Sequence, residues 1–396
     1  MSAEYDAIVV GLGAMGSAAA YQLASRGLRV LGLDAHEQGH TLGSSHGESR
    51  IIRMAYMEHP DYVPLLRRAY ELWREVEARA GVELLRQTGG LFVGPLDGPV
   101  VGGSLQSARL HHLPHEMLDG AEVQRRYPAL HPGPDDVALF EEAAGVLFSE
   151  QCIQAHLRLA TKHGAQIQHN AKVQNWEATS GGVSVITDGV RYTAGHVVFA
   201  AGAWMGKLLA NPPSSSRGPF GKPQRGFRLP LKPERQTVWW LHPRERPELF
   251  DPARFPIYIW EASTEHSFYG FPHLGWPGVK VGRHHSGEYG DPDTISREVV
   301  AADELAVRAF VRRHIPALDG DVASALVCLY TNTPDEHFVV DRHPEHPGVV
   351  YASACSGHGF KFASVIGEVL ADLVTTGQAN PAANFLRAER LVGARA

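Results

Sequence analysis

The first forty residues constrain the fold of this chain more than any other stretch. Ala7-Ile-Val-Val10 is a short apolar run of the kind that forms a buried parallel strand. Gly11-Leu-Gly13-Ala-Met-Gly16 follows directly, then a helix-forming stretch from Ser17 to Arg26 that stops at Gly27. Leu28-Arg-Val-Leu-Gly-Leu33 reads as the next strand and is closed by Asp34. Each part has a physical task. Gly11 permits a tight turn, Gly13 lets a pyrophosphate approach the backbone, and Gly16 lets the helix pack closely on the strand. The helix N-terminus then faces the phosphate charge. Asp34, 18 residues beyond Gly16, is placed to accept from ribose hydroxyls. Strand, glycine fingerprint, helix, strand and acid in this order predict a Rossmann-like dinucleotide-binding domain. The segment alone does not separate FAD from NAD.

At 396 residues the chain is too long for one simple core, so two intertwined domains are expected. The fold class expected is mixed α/β and α+β, with a second domain built on an antiparallel sheet. The dinucleotide domain is expected to be discontinuous, over 1–85, 145–210 and 325–385, and the substrate domain to take 86–144 and 211–324. Tyr62 to Ala80 places Leu65, Leu66, Tyr70, Leu72 and Trp73 at helical spacing. Gln151 to His163 and Ser364 to Thr376 read as helices too. Gln236 to His242 and Phe255 to Gly270 read as strands of the second domain, and Leu326 to Tyr330 and Gly348 to Ala352 as further apolar strands. The breaker-rich run 211–223 is expected to be a surface loop. A net charge of −6 gives no footprint for nucleic acid, and no run of apolar residues is long enough for a membrane span. Three cysteines, Cys152, Cys328 and Cys355, fit a reducing compartment better than a disulfide framework. No Cys/His set has zinc spacing, so no metal is expected. The N-terminus enters a strand with no basic start before a long apolar region, and a cytoplasmic protein is the expectation.

Six blocks stand in order along the chain. They are Gly43-Ser-Ser-His46-Gly-Glu-Ser-Arg50-Ile-Ile-Arg53, Gly145-Val-Leu-Phe-Ser-Glu-Gln-Cys152 and Tyr269-Gly-Phe-Pro. The others are Gly278-Val-Lys280-Val-Gly-Arg-His284, Cys328-Leu-Tyr330-Thr-Asn-Thr-Pro-Asp-Glu-His-Phe and Ser356-Gly-His-Gly-Phe-Lys361-Phe. Through them the chain resembles, over nearly its whole length, the monomeric sarcosine oxidase and N-methyltryptophan oxidase family. Members are FAD enzymes that oxidise N-methyl amino acids and often work as monomers. Read locally, Cys328 is equally a small buried thiol, Lys280 a strand-edge charge and His46 a solvated loop histidine.

The resemblance gives these residues roles. It implies FAD joined through the Cys328 sulfur, and Lys280 lying over the flavin to promote reaction with molecular oxygen. Arg53 and Lys361 are the implied clamp on the substrate carboxylate. Arg50 and His46 are implied to put positive charge beside the flavin. Tyr269, His284 and Tyr330 are implied to line the substrate cavity, with His284 a candidate for tuning amine protonation. Gly357, Gly359 and the helix after Lys361 are implied to face the flavin pyrimidine. The chain departs from the family at Ser45-His46, where two histidines are common, and at Glu48-Ser49, where Asp-Thr is common. Both changes keep the hydrogen-bonding type, so Ser49 is expected to retain its cofactor contact. Tyr258 and Trp260 share one strand face, and would reshape the pocket if they face it. The expected reaction is oxidation of a secondary amino acid such as sarcosine to demethylated amino acid, formaldehyde and hydrogen peroxide. Oxidation of cyclic secondary amino acids such as pipecolate or proline, and flavin binding without turnover, are the alternatives.

Overall fold

The computed structural model describes residues 4–179, 181–210, 227–264, 266–285 and 287–392, so the run 211–223 lies outside them. The dinucleotide fingerprint forms as its sequence requires. Strand Tyr5–Val10 pairs in parallel with Val30–Leu33 and with Arg191–Phe199. Gln166–Gln168 extends the sheet beyond Val30–Leu33, and Val349–Ser353 extends it beyond Arg191–Phe199, both in parallel. Helices Ala14–Ser25, Tyr62–Ala80, Ser149–Lys162 and Ala363–Thr375 supply one apolar layer. On the other side a second cluster joins Ile8, Leu31, Val197 and Phe199 to Trp176, Val183 and Val185 of the hairpin Asn175–Thr179/Gly182–Ile186. Both faces of the parallel strands are thereby covered, which is why they read as unbroken apolar runs.

The second sheet runs in the order Val322–Asn332, Lys232–Leu241, Val279–His284, His266–Gly270, Ile257–Ser263, Gly90–Gly94, Val137–Glu141, Glu116–Asp119. All neighbours are antiparallel except Ile257–Ser263 with Gly90–Gly94. One face packs on helix Ala301–His314 through Phe310, Val307 and Val311, and the other faces a cavity. A third, three-stranded sheet of Arg50–Ile52, Gly145–Leu147 and Leu85–Gln87 sits where the two halves meet.

One expectation needs correction. The boundary placed at 325 falls inside the strand Val322–Asn332, which pairs along its length with Lys232–Leu241. Cys328 therefore belongs to the antiparallel sheet, opposite Gln236, because sheet membership follows hydrogen-bond register rather than apolar content. Tyr258 and Trp260 do not face the cavity. They lie 1% and 0% exposed on the helix side, Trp260 against His314 with ring centroids 4.6 Å apart. The strand period of two hands the cavity side to Ile259 instead. No helix among the described residues is long and apolar enough to cross a membrane.

Candidate active site

One cavity of about 870 Å³ runs from the glycine fingerprint to the antiparallel sheet. Its wall at the first end includes Gly11, Gly13 and Asp34, and at the second Lys280, Cys328 and Lys361. The first end fits a dinucleotide. Gly11 has φ +89°, and a Cβ there would lie 2.6 Å from the Ala200 carbonyl oxygen. A Cβ at Gly13 would meet only Ser45 Oγ, at 3.2 Å, so the backbone is open to a ligand on that side. Helix Ala14–Ser25 has no side-chain cap and no acid in its first turn, which leaves its N-terminal field to an anion. Asp34 accepts from the backbone N–H groups of Leu12 at 2.7 Å and His36 at 3.0 Å. That fixes the carboxylate at the cavity wall, where further lone pairs remain for hydroxyl donors.

Register explains the second end. Lys280 and His284 stand four apart on one strand, so both side chains leave the same face. Tyr269 lies opposite Gly282, and a Cβ at Gly282 would come within 2.5 Å of the Tyr269 ring. Glycine at that position lets the tyrosine lie flat along the wall. Lys280 is 2% exposed, and its Nζ donates to Gly47 O at 2.5 Å, Ser49 O at 2.9 Å and Ser49 Oγ at 3.1 Å. Trp240 and Phe271 present ring faces to it at 5.4 and 4.9 Å. Burial and the Arg50 charge push its amine well below the ordinary lysine range, against the opposing carboxylate of Glu150. Arg50 donates to the carbonyls of Ser44, His46 and Ser49, each at 2.7 Å, and its Nη2 stands 3.9 Å from Cys328 Sγ.

His46 differs from the expected second cation. Burial, then the neighbouring Arg50, brings its pKa down to about 4, so it is a neutral ring whose Nε2 lies 2.9 Å from the Val327 carbonyl. Arg50 alone of the two supplies positive charge. His284 is neutral for the same reason: burial and adjacent His285 hold it well below the usual histidine value. Its Nδ1 is 3.2 Å from Tyr330 Oη. Tyr330 and Tyr269 are half-buried phenols whose pKa values are raised by desolvation, the latter to about 12.

Arg53 and Lys361, the residues implied to hold the substrate carboxylate, both already have partners. Arg53 is 1% exposed and sends Nη2 to both oxygens of Glu58, at 2.7 and 2.6 Å, and Nη1 to Ala55 O at 2.9 Å. Its Nε is buried with no hydrogen-bond partner among the described residues. Lys361 donates to His358 O at 2.6 Å, and burial and Arg53 bring its pKa down to about 7. Although burial opposes it, the Arg53 guanidinium holds Glu58 down at about 2. Gly357, at φ +76°, runs beside His284 and Tyr330, and a Cβ there would come within 2.6 Å of the His284 ring. Gly359, Phe360 and Lys361, just ahead of helix Ala363–Thr375, complete that wall. Glu58, Glu150 and Phe271 also line the cavity and were given no role from sequence. Glu58 and Glu150 each stand close to a motif residue along the chain, but no spacing rule singles out either. Of the other cysteines, Cys152 is buried in the helical layer, and Cys355 lines the cavity with its thiol pushed up by burial.

Residues 6–373 match the FAD dependent oxidoreductase family. The chain is 46% identical to the monomeric sarcosine oxidase of Streptomyces avermitilis over 95% of each chain. It is 33% identical to the N-methyl-L-tryptophan oxidase of Citrobacter koseri, covering 93% of this chain and 94% of that one. Among solved structures, NikD, an amino acid oxidase essential for nikkomycin biosynthesis, shares the fold with a TM-score of 0.81 over 98% of both chains at 24% identity. With its dinucleotide cradle opening onto a wall of buried cations, and with these relatives, the chain belongs to the FAD-dependent oxidoreductase family, among the monomeric sarcosine oxidases and N-methyltryptophan oxidases.

Proposed function

We propose that this protein is a flavin-dependent oxidase of N-methyl amino acids such as sarcosine, working as a monomer. The observation that carries the reading is the pair Arg53 and Lys361 in the same cavity as Cys328 and Lys280. A protein that only held a flavin would need neither a buried carboxylate clamp nor a buried ammonium at a second wall. The chemistry supplied by bound FAD is acceptance of a hydride equivalent from the amine and electron transfer to oxygen, which gives hydrogen peroxide.

The protein residues do the remaining work. Arg53 and Lys361 take the substrate carboxylate, for which Glu58 is the built-in competitor. Neutral His284, whose Nδ1 lies 3.2 Å from Tyr330 Oη, offers a ring nitrogen to the substrate ammonium as it loses its proton. Tyr269 and Phe271 exclude water from the reacting carbon. Cys328 offers its sulfur to the flavin edge, with Arg50 Nη2 3.9 Å from it. Cys328→Ser should accordingly give a protein whose flavin stays in solution after acid precipitation, whereas the parent flavin travels with the pellet. Flavin released from both proteins alike would remove the covalent assignment.

The direct test of function is anaerobic titration of the yellow protein with sarcosine, N-methyltryptophan, pipecolate and proline while flavin absorbance is followed. Bleaching by sarcosine, with formaldehyde as product, is the expected result. Bleaching only by the ring amines would move the substrate class. If dithionite bleaches the protein and no amine does, the proposal fails.

A further inference from the structure

Glu150 lies in the first turn of helix Ser149–Lys162, where a carboxylate suits the helix dipole. Its side chain nevertheless reaches a different segment. Oε1 accepts from the N–H groups of Gly47 at 2.8 Å and Glu48 at 3.0 Å. Oε2 accepts from Glu48 N–H at 3.0 Å and Ser149 Oγ at 2.8 Å. Gly47 and Glu48 have φ of +95° and +69°, so two successive residues sit in the left-handed region, one of them not glycine. Such a turn is strained at Glu48 and persists only when its surroundings hold it. Its consecutive N–H groups form a concave anion seat, and Glu150 fills that seat. The opposite side of the same turn presents the carbonyls of Gly47 and Ser49, and these receive Lys280 Nζ. A carboxylate and an ammonium thus grip one tripeptide from two sides.

We infer that Glu150 is the positioning residue for Lys280, holding the Gly47–Ser49 turn whose carbonyls fix the ammonium at the cavity wall. The inference rests on the reading of Lys280 as the charge that promotes reaction with oxygen. Charge works in the same direction as geometry. Burial and Arg50 drive Lys280 toward the neutral amine, while the carboxylates of Glu150 and Glu48 oppose them, and His46 beside them is neutral. Glu150 heads the opposing group. The neutral form of Lys280 would have no field to offer an oxygen anion.

The test uses the flavin-loaded protein and three variants, Glu150→Ala, Glu150→Gln and Lys280→Met. Hydrogen exchange of the peptide spanning residues 43–50 reports the turn, independently of turnover. Stopped-flow reduction by substrate and reoxidation by oxygen, across about pH 6–9, report the charge. Glu150→Ala should exchange faster at Gly47 and Glu48, and reoxidise about 10- to 100-fold more slowly. Its reduction by substrate should stay within about threefold of the parent. Glu150→Gln keeps an acceptor but loses the charge. It should protect the turn better than alanine, yet its reoxidation should fall at a lower pH than the parent's, since a Lys280 deprived of that carboxylate gives up its proton earlier. Should Glu150→Ala fail to fold, the glutamine variant carries the test. Parental reoxidation at every pH in both Glu150 variants, with Lys280→Met slow, would overturn the inference. Parental reoxidation in Lys280→Met would instead sink the oxygen-site reading beneath it.

Discussion

Lys280→Met should leave the protein reducible by its substrate and slow its reoxidation by oxygen about a thousand-fold, a barrier increase of about 4 kcal/mol. The first electron given to oxygen makes an anion, so a fixed positive charge at the point of transfer lowers the barrier. Lys280 is built as such a charge. Three acceptors, Gly47 O, Ser49 O and Ser49 Oγ, account for its three ammonium protons. It therefore acts through its field rather than by giving away a hydrogen bond, and no reorganisation is needed when the anion forms. Methionine preserves the length of the side chain and its seat between Trp240 and Phe271 while removing the charge. Stopped-flow mixing of the reduced protein with oxygenated buffer measures the step directly. A variant that reoxidises at the parental rate would show that the charge is elsewhere.

Arg53→Gln should lower kcat/KM for N-methyl amino acids by about two to three orders of magnitude, from the loss of about 3–4 kcal/mol of bidentate charged contact in a buried site. The guanidinium is locked on Glu58 and Ala55, with Tyr56 under its plane at 4.2 Å. Glutamine cannot reproduce the fork. Amines that lack a carboxylate should be indifferent to the change, and a loss shared equally by both substrate types would argue against the clamp. The partner residue adds a pH signature. Lys361 has its pKa brought down from 10.5 to about 7, so it carries charge below that pH and loses it above. Binding of an unreactive carboxylic acid of substrate size, which has no amine to titrate, should weaken as pH rises through about 7. In Lys361→Met that dependence should disappear.

Both Lys280 and Arg53 are legible in the sequence alone. The blocks around Lys280, Arg53, Cys328 and Lys361 are contiguous strings whose resemblance to a family is visible residue by residue, and all four line one cavity. The expected helix Tyr62–Ala80 forms with those bounds, because nine of its side chains are buried along one stripe. Partnerships were not visible. The contact of Lys280 with Gly47 spans 233 positions and that of Glu150 with Gly47 spans 103. Glu58, only five positions from Arg53, carries no local signal because an acid in a loop is ordinarily solvated, and here it is drawn in by the guanidinium. His46 sits in the expected block but buried beside Arg50, and that surrounding removes the charge it was assigned.

What the sequence determined by itself was everything set by short-range periodicity and by the backbone freedom of particular glycines. This includes the strand, turn and helix of the fingerprint, the acid that ends its second strand, and the alternation that places Lys280 and His284 on one face. The tertiary structure decided which face of each strand meets the cavity, which sheet the Cys328 strand joins, and which carboxylate sits against which cation. These outcomes depend on register between segments far apart in the chain and on the loss of water around charges, and neither is written in any local pattern.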